Sequence, residues 1–359
     1  LHIRKNKAYQ LTLFPDQTAR FPSTRYQGSK AKLADWIWEQ IADLDFVTCL
    51  DAFGGTGAIS HLLKKEGKQV TYNDLLRFNY YIGLALIENN QARLGSEEID
   101  WLLQRHPEIA YPCFVQDNFH DVYFTDEENA WIDQTITNIR QLSDRYKSAL
   151  AFFALCQACI IKRPYNLFHR KNLYIRLAEV DRSFGNKTTW DRPFDEWFCD
   201  FVEEANQAIF DNGCRNHALN LDAIDVPGEY DLVYIDTPYI SKRGVAVDYL
   251  GFYHFLEGLT MYDNWDKNID HRSKHHRLKT RPSEWTDKNR IRAAFDRLFK
   301  RYHESIIAVS YRSDGIPSES ELASMLKRYK GNVRVEHFGQ YKYVLSIDSR
   351  SEEILLIGT

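Results

Sequence analysis

Apolar and polar positions follow two rhythms along this chain. The run "FVTCLDAF" (46–53) is nearly continuous in apolar residues, as in a strand buried on both faces. Glycines follow, and then "AISHLLKKEG" (58–67), whose apolar residues recur at helical spacing until Gly67 closes the pattern. "KQVTYND" (68–74) reads as a second strand. Strand, helix and strand in that order predict a parallel sheet, with ligands at the carboxyl ends of its strands. From about Asn79 to Asn212 the periodicity is mainly helical, interrupted at "HPEIAYPC" and "KRPYNLFHRKN". Strand-like runs then return as "RNHALNLD", "YDLVYID", "ESIIAVSY", "NVRVEHFGQYKYVLSI" and "EEILLIGT". The pattern predicts an α/β fold whose sheet is assembled from residues 20–80 and 213–359. Between them, 81–212 form a mainly helical insertion, the candidate second domain, and 241–288 form a polar, basic loop.

Composition narrows this reading only a little. At 359 residues, 44% hydrophobic and 27% charged, the chain suits one large α/β domain with insertions, or two domains, and its composition argues against wholesale disorder. A formal net charge of -4 makes any nucleic-acid site a local patch on a mildly acidic body. No uncharged apolar run is long enough for a bilayer span, and "LHIRKNKAYQ" holds no signal-peptide core, so no membrane partner is expected. Of the six cysteines, Cys156 and Cys159 form a C-x-x-C inside "ALAFFALCQACII". That run is apolar and helical and has no second pair, so packing thiols are expected, with no metal site. Reduced thiols point to the cytoplasm.

Candidate chemistry begins at the glycine turn. "DAFGGTGAIS" places Gly54, Gly55 and Gly57 between a strand and a helix, where the backbone can approach a ligand closely. Asp74 ends the next strand, the position at which an acid holds the two hydroxyls of an adenosine ribose. A nicotinamide oxidoreductase is one reading of such a turn, but Gly55-x-Gly57-x-x-Ser60 lacks the third glycine. The reductase-like Tyr26-x-x-x-Lys30 pair also precedes the turn, where a reductase has it after. Asp51, just before the glycines, would crowd a pyrophosphate yet could accept from an amino group. A cofactor with a cationic amino-acid end is favoured, and S-adenosylmethionine fits.

"DLVYIDTPYI" (231–240) is the second centre of interest. Asp236 would stand at the carboxyl end of its strand, beside the cofactor, and accept a hydrogen bond from an exocyclic amine. The carbonyl of Thr237 can take the amine's second hydrogen if Pro238 fixes the turn. Tyr239 offers a ring face on which a base can stack, worth roughly 1–3 kcal/mol. An aromatic amine is a poor nucleophile because its lone pair is delocalised. Two acceptors on its hydrogens draw that pair back onto nitrogen, so positioning supplies much of the rate.

"DTPY" resembles the D-P-P-Y motif of amino methyltransferases. Together with "DAFGGTG" and the upstream "RYQGSKAKL", it resembles the D12 class of DNA adenine-N6 methyltransferases, the Dam-like and restriction-modification methylases. The resemblance covers the first eighty residues and everything from about Asn220 onward. The region between matches only in position, as a target-recognition insertion. It implies a Rossmann-like S-adenosylmethionine-dependent methyltransferase sheet, and methyl transfer to N6 of an adenine flipped out of double-stranded DNA. Tyr26 and Lys30 then match the N-terminal cofactor contacts, Asp51, Phe53, Gly55 and Gly57 the glycine motif, and Asp74 the ribose acid. Asp222 in "NLDAID" matches the adenine-ring contact, and Asp236, Pro238 and Tyr239 the catalytic motif. Thr237 departs from the usual first proline; its carbonyl is kept and the turn loses rigidity. A cognate restriction endonuclease is an implied partner, and the location is cytoplasmic, at the nucleoid.

Ser-Pro-Pro-Tyr is typical of cytosine-N4 enzymes and Asn-Pro-Pro-Tyr of those methylating protein glutamine, so the aspartate favours adenine without excluding cytosine N4. Cytosine-C5 chemistry needs a thiolate after proline, and the one Pro-Cys, in "YPCF" at Cys113, lies in the insertion. A DNA-binding homologue with a decayed pocket is the non-enzymatic alternative. "KRPYNLFHRKN" interleaves Lys162, Arg163, His169, Arg170 and Lys171 with Tyr165 and Phe168. "KHHRLKTR" supplies Lys274, Arg277, Lys279 and Arg281. Both suit phosphate contacts, with rings for base or sugar packing.

Overall fold

The computed structural model describes residues 19–180, 187–340 and 351–359. Its sheet contains β1 (Thr48–Asp51), β2 (Gln69–Asn73), β3 (His217–Leu219), β4 (Leu232–Ile235), β5 (Ile306–Arg312), β6 (Val333–Gln340) and β7 (Glu352–Gly358). The strands lie in the order β3-β2-β1-β4-β5-β7-β6. β1 to β5 pair in parallel, and β7 is inserted antiparallel between β5 and β6. The stretch β3-β2-β1-β4-β5 follows the order of a doubly wound nucleotide-binding sheet. The fold is thus α/β and Rossmann-like, with strands drawn from both ends of the chain as their apolar runs predict. The second half of "NVRVEHFGQYKYVLSI", from 341 on, lies outside the described residues.

Period-two alternation sorts the strand residues into two layers. Cys49, Leu232, Tyr234, Ala308, Leu355 and Ile357 face one buried cluster, and Leu50, Val233, Ile235, Ile307, Val309 and Leu356 face the other. α1 (Ala34–Ile41) and α2 (Ala58–Lys65) cover the first face. The helices Ile291–Arg301 and Glu319–Leu326 cover the second. With both faces covered, the central strands can be apolar at nearly every position, which is why they read as runs rather than alternations.

The long insertion is helical, with Asp126–Ile139, Arg145–Ile161 and Phe194–Ala208 as its main elements. Thr125 caps the first of these, accepting from the backbone of Glu128, whose carboxylate accepts from the Thr125 N–H in return. Arg145–Ile161 is buried continuously from Ala149 onward. Its apolar residues join the same cluster as α1, α2 and one face of the sheet. Cys156 and Cys159 lie within that helix, their thiols pushed well up by burial.

The chain crosses to opposite sides of the sheet at β1 and β4, which are neighbours. A crevice therefore opens past their carboxyl ends, where α/β sheets bind ligands. Register pairs Asp51 with Tyr234, so Asp51 and Asp236 are delivered to that crevice side by side.

Candidate active site

A cavity of about 330 Å³ fills the crevice. Its wall includes Tyr26, Lys30, Asp51, Phe53, Gly55, Asp74, Asp236 and Pro238, all expected at the site from sequence, Arg281, expected on DNA, and also Tyr249, Glu257 and Trp285. The glycine turn is shaped by the ring of Tyr72. A Cβ on Gly54 would come within 2.1 Å of that ring, while Gly55 and Gly57 take φ of 51° and 76°. The Tyr72 hydroxyl donates to the Gly55 carbonyl at 2.7 Å, which fixes the turn from below.

Three carboxylates stand around this turn, each altered by its surroundings. Asp51 is 1% exposed, and burial pushes its pKa up to about 7. Its Oδ2 accepts from Ser60 Oγ at 2.7 Å, whereas Oδ1 is buried and has no hydrogen-bond partner among the described residues. An orphaned buried carboxylate oxygen is costly, and a cationic donor would satisfy it. Asp74 accepts from the Gly55 N–H at 2.9 Å and the Leu76 N–H at 2.8 Å, and burial raises it to about 6. It ties the end of β2 to the glycine turn beside the Asn79 side chain, and a carboxylate has more acceptor sites than these donors fill, so it can still receive a hydroxyl. These donors and acceptors fit an adenosine cofactor with an ammonium end.

Asp236 follows β4 directly, and sequence suggested a carboxylate open to an incoming amine. The structure pairs it instead: Lys30 Nζ donates to both oxygens, at 2.8 and 2.7 Å. Burial lifts Asp236 to about 6 against the opposing pull of that ammonium. Lys30, expected against the cofactor, therefore spends its charge on the candidate catalytic acid, within the same cavity wall. Tyr239 differs more. It is 9% exposed, its ring packs edge-on to Tyr311 at 5.1 Å, and its hydroxyl lies 3.1 Å from Asp236 and 2.6 Å from Glu353. A ring so enclosed presents no stacking face. It braces the acid. Thr237 is buried, and Pro238 lines the cavity. Asp222 stands outside the wall, in the turn after β3, where it accepts from the Ile224 N–H at 3.2 Å.

Sequence reasoning missed two groups of residues. Tyr26 is stacked between Tyr253 at 4.4 Å and Tyr249 at 5.6 Å, both on the helix Tyr249–Leu259. Glu353, fully buried on β7, meets Tyr239 and also accepts from Ser310 Oγ at 2.5 Å. Its one local signal is an acid sharing a period-two face with Leu355 and Ile357 in "EEILLIGT".

The basic segments divide. Lys162 and Arg163, expected on phosphate, are 2% and 1% exposed and cannot reach DNA. Lys162 pairs with Glu128 at 2.8 Å. Arg163 donates to the carbonyls of Tyr123, Leu167 and Arg170, and to Asn172, so it is the internal brace of its loop. Tyr165, Arg170 and Lys171 are exposed, Lys171 being paired with Asp121, and His169 is half-buried. In the second segment Lys274, Lys279 and Arg281 are exposed, while Arg277 is half-buried near Asp270 at 3.5 Å. The two segments meet at Tyr123, whose hydroxyl contacts the Phe168 carbonyl at 2.6 Å, His254 at 2.7 Å and the His275 carbonyl at 3.1 Å. The Phe168 N–H donates to Phe252 at 2.8 Å, joining that node to the helix along the cavity. Among the described residues no helix is long and apolar enough to cross a membrane. Nor, among them, does any cluster of three or more His, Cys, Asp or Glu side chains suit a metal ion.

Comparison with known proteins matches the chain to a family. Type II methyltransferase M2.HphI of Haemophilus parahaemolyticus is 32% identical over 324 residues, covering 88% of this chain and 90% of that protein. Type II methyltransferase M.NlaIII of Neisseria lactamica is 23% identical, with 85% and 88% covered. Modification methylase LlaI of Lactococcus lactis is 26% identical across 87% of this chain, which spans 50% of that longer protein. The family model for D12 class N6 adenine-specific DNA methyltransferases matches residues 26–314, from the cavity's Tyr26 through β5. The chain belongs to the D12 class of N6 adenine-specific DNA methyltransferases.

Proposed function

We propose that the cavity binds S-adenosylmethionine and that the chain methylates N6 of an adenine turned out of duplex DNA at a specific site. One observation carries this reading: Asp51, with its buried unpartnered oxygen, and Asp236 stand at the ends of adjacent strands in a single cavity. Asp51 Oδ1 receives the cofactor's ammonium, and Asp74 its ribose hydroxyls. Gly55 and Gly57 let the backbone approach, and Tyr26, Phe53 and Lys30 complete the wall. The bound cofactor supplies a methyl carbon made electrophilic by its sulfonium, which keeps the carbon–sulfur electron pair.

Asp236 and the Thr237 carbonyl accept the two hydrogens of the adenine amine, concentrating its lone pair on nitrogen and aiming it. As the new bond forms, nitrogen becomes cationic and gives one proton to Asp236, which passes it to water. A carboxyl held near 6 takes that proton and releases it again at neutral pH. Arg170, Lys171, Lys274, Lys279 and Arg281 lie on the exposed side and contact phosphates, with residues 81–212 supplying site recognition. Extruding the base costs about a few kcal/mol, which phosphate contacts beside the cavity offset. The substrate places the chain at the nucleoid in the cytoplasm, and a cognate endonuclease is its expected partner.

The test uses S-adenosylmethionine with a tritiated methyl group and genomic DNA lacking adenine methylation. Label should appear as N6-methyladenine with the wild-type chain and be absent with Asp236→Ala, whose cofactor affinity should stay within about threefold. Label retained by Asp236→Ala would overturn the assignment. Label in N4-methylcytosine would redirect it to cytosine.

A further inference from the structure

The ion pair that occupies Asp236 raises a mechanical problem. The carboxylate that is to grip an amine already holds an ammonium at 2.7 Å, and both groups are largely enclosed. A second carboxylate lies within reach. Glu353 Oε1 is 3.7 Å from the same Lys30 Nζ, on a side chain with no solvent exposure. Lys30 arrives from the loop before α1, Asp236 from the end of β4, and Glu353 from β7, which is hydrogen-bonded to both β5 and β6. Glu353 cannot follow a moving partner, because Ser310 Oγ at 2.5 Å and the Tyr239 hydroxyl at 2.6 Å hold it. A carboxylate buried in the middle of a sheet costs several kcal/mol unless charge partners surround it, so a purely apolar residue would serve packing better.

We infer that Glu353 is a positioning residue for methyl transfer: it draws Lys30 off Asp236 when the substrate amine arrives, which opens the Asp236 oxygens to that amine. The hand-over moves Nζ about 1 Å, the difference between 3.7 and 2.7 Å, which rotation within one rotamer well supplies. No proton is transferred by Lys30. It stays an ammonium, and the amine's proton leaves by Asp236. Asp236, released from the ammonium, keeps its charge beside the amine and stabilises the cation growing there, and fixed charge in an enclosed site acts strongly. The inference rests on the methyltransferase reading of Asp236 proposed above.

The test is Glu353→Gln, which keeps the shape and the acceptors for Ser310 and Tyr239 but removes the charge that attracts Lys30. Single-turnover transfer from tritiated S-adenosylmethionine to unmethylated genomic DNA should slow by about ten- to a hundredfold, with the KM for the cofactor changed less than threefold. A double-mutant cycle with Lys30→Met separates this from a packing defect. With no lysine to hand over, Glu353→Gln should slow transfer by less than twofold further. Ser310→Ala, which loosens Glu353 without uncharging it, serves if the glutamine variant unfolds, and should slow transfer in the same direction with the same dependence on Lys30. Unchanged single-turnover rates, or losses that simply add in the cycle, would overturn the hand-over. Asp236→Ala is run alongside: if it is inert while Glu353→Gln equals wild type, the hand-over alone fails, and if it remains active the methyltransferase reading fails first.

Discussion

Replacing Asp51 by asparagine separates what the cavity needs for stability from what it needs for binding. Burial moves this carboxyl from an ordinary 3.8 up to about 7. At about 1.4 kcal/mol per pH unit, ionising it in the folded chain costs on the order of 4 kcal/mol. Between about pH 4 and 7 the folded chain holds a proton that the unfolded chain has lost. Stability therefore falls as pH rises through that window and levels off above it. Asparagine keeps an acceptor for Ser60 Oγ and cannot ionise, but leaves a buried N–H pair unsatisfied, at about 1–3 kcal/mol. The ligand-free variant should be more stable than wild type by about 1–3 kcal/mol at pH 8 and no more stable at pH 4. S-adenosylmethionine affinity should move the other way. Losing a charge-assisted bond worth about 1.5–3 kcal/mol weakens it by about 10- to 150-fold at pH 8. Wild-type affinity should also rise from pH 5 to 8 as Asp51 ionises, and the asparagine variant should be flat. Denaturant titration and calorimetry at both pH values measure all of this. A variant less stable at pH 8 that still binds the cofactor within twofold of wild type would refute the ammonium role of Asp51.

Three further outcomes are expected. Changing Lys274, Lys279 and Arg281 to glutamine should weaken DNA binding and lower the slope of log affinity against log salt by up to about 0.9 for each phosphate no longer neutralised, whereas Arg277→Gln, half-buried near Asp270, should change the slope by less than half of that amount; equal slopes by fluorescence anisotropy would remove this loop from the interface. Arg163→Met strands the Leu167 and Arg170 carbonyls and Asn172, and leaves the Tyr123 carbonyl to Arg176 alone, so it should cost about 3 kcal/mol or more in denaturant titrations; a loss under about 1 kcal/mol would show that the loop holds its shape without it. Gly54→Ala drives a methyl into the Tyr72 ring and should cost about 1–3 kcal/mol along with most cofactor affinity, and normal binding to the variant would mean that the turn adjusts freely.

The sheet was legible because its strands are buried on both faces and so announce themselves as apolar runs. Asp51, Asp74 and Asp236 were legible for a related reason: an acid ending such a run has no packing purpose. What escaped notice depends on directions that a one-dimensional pattern does not carry. Arg163 and Arg170 look alike in "KRPYNLFHRKN", yet one guanidinium turns inward to carbonyls and the other faces out. Tyr239 looked like a stacking ring because of its neighbours in sequence, while β5 and β7 enclose it in space. Glu353 sits over a hundred residues after Asp236, and nothing local ties it to that acid. Tyr253 and Tyr249 are ordinary members of an apolar helix until Tyr26 is seen between them.

The antiparallel placement of β7 also governs when the enzyme can become competent during synthesis. Lys30 leaves the ribosome roughly three hundred residues before the carboxylate on β7. At about 5–20 residues per second, the nascent chain spends about fifteen seconds or more with a glycine turn and a lysine but an unfinished charge knot. A chain released before β7 leaves β5 and β6 without the strand that joins them, exposing two unpaired strand edges to other nascent chains. The Glu353 carboxylate and the pairing of those two edges thus arrive together, on one strand.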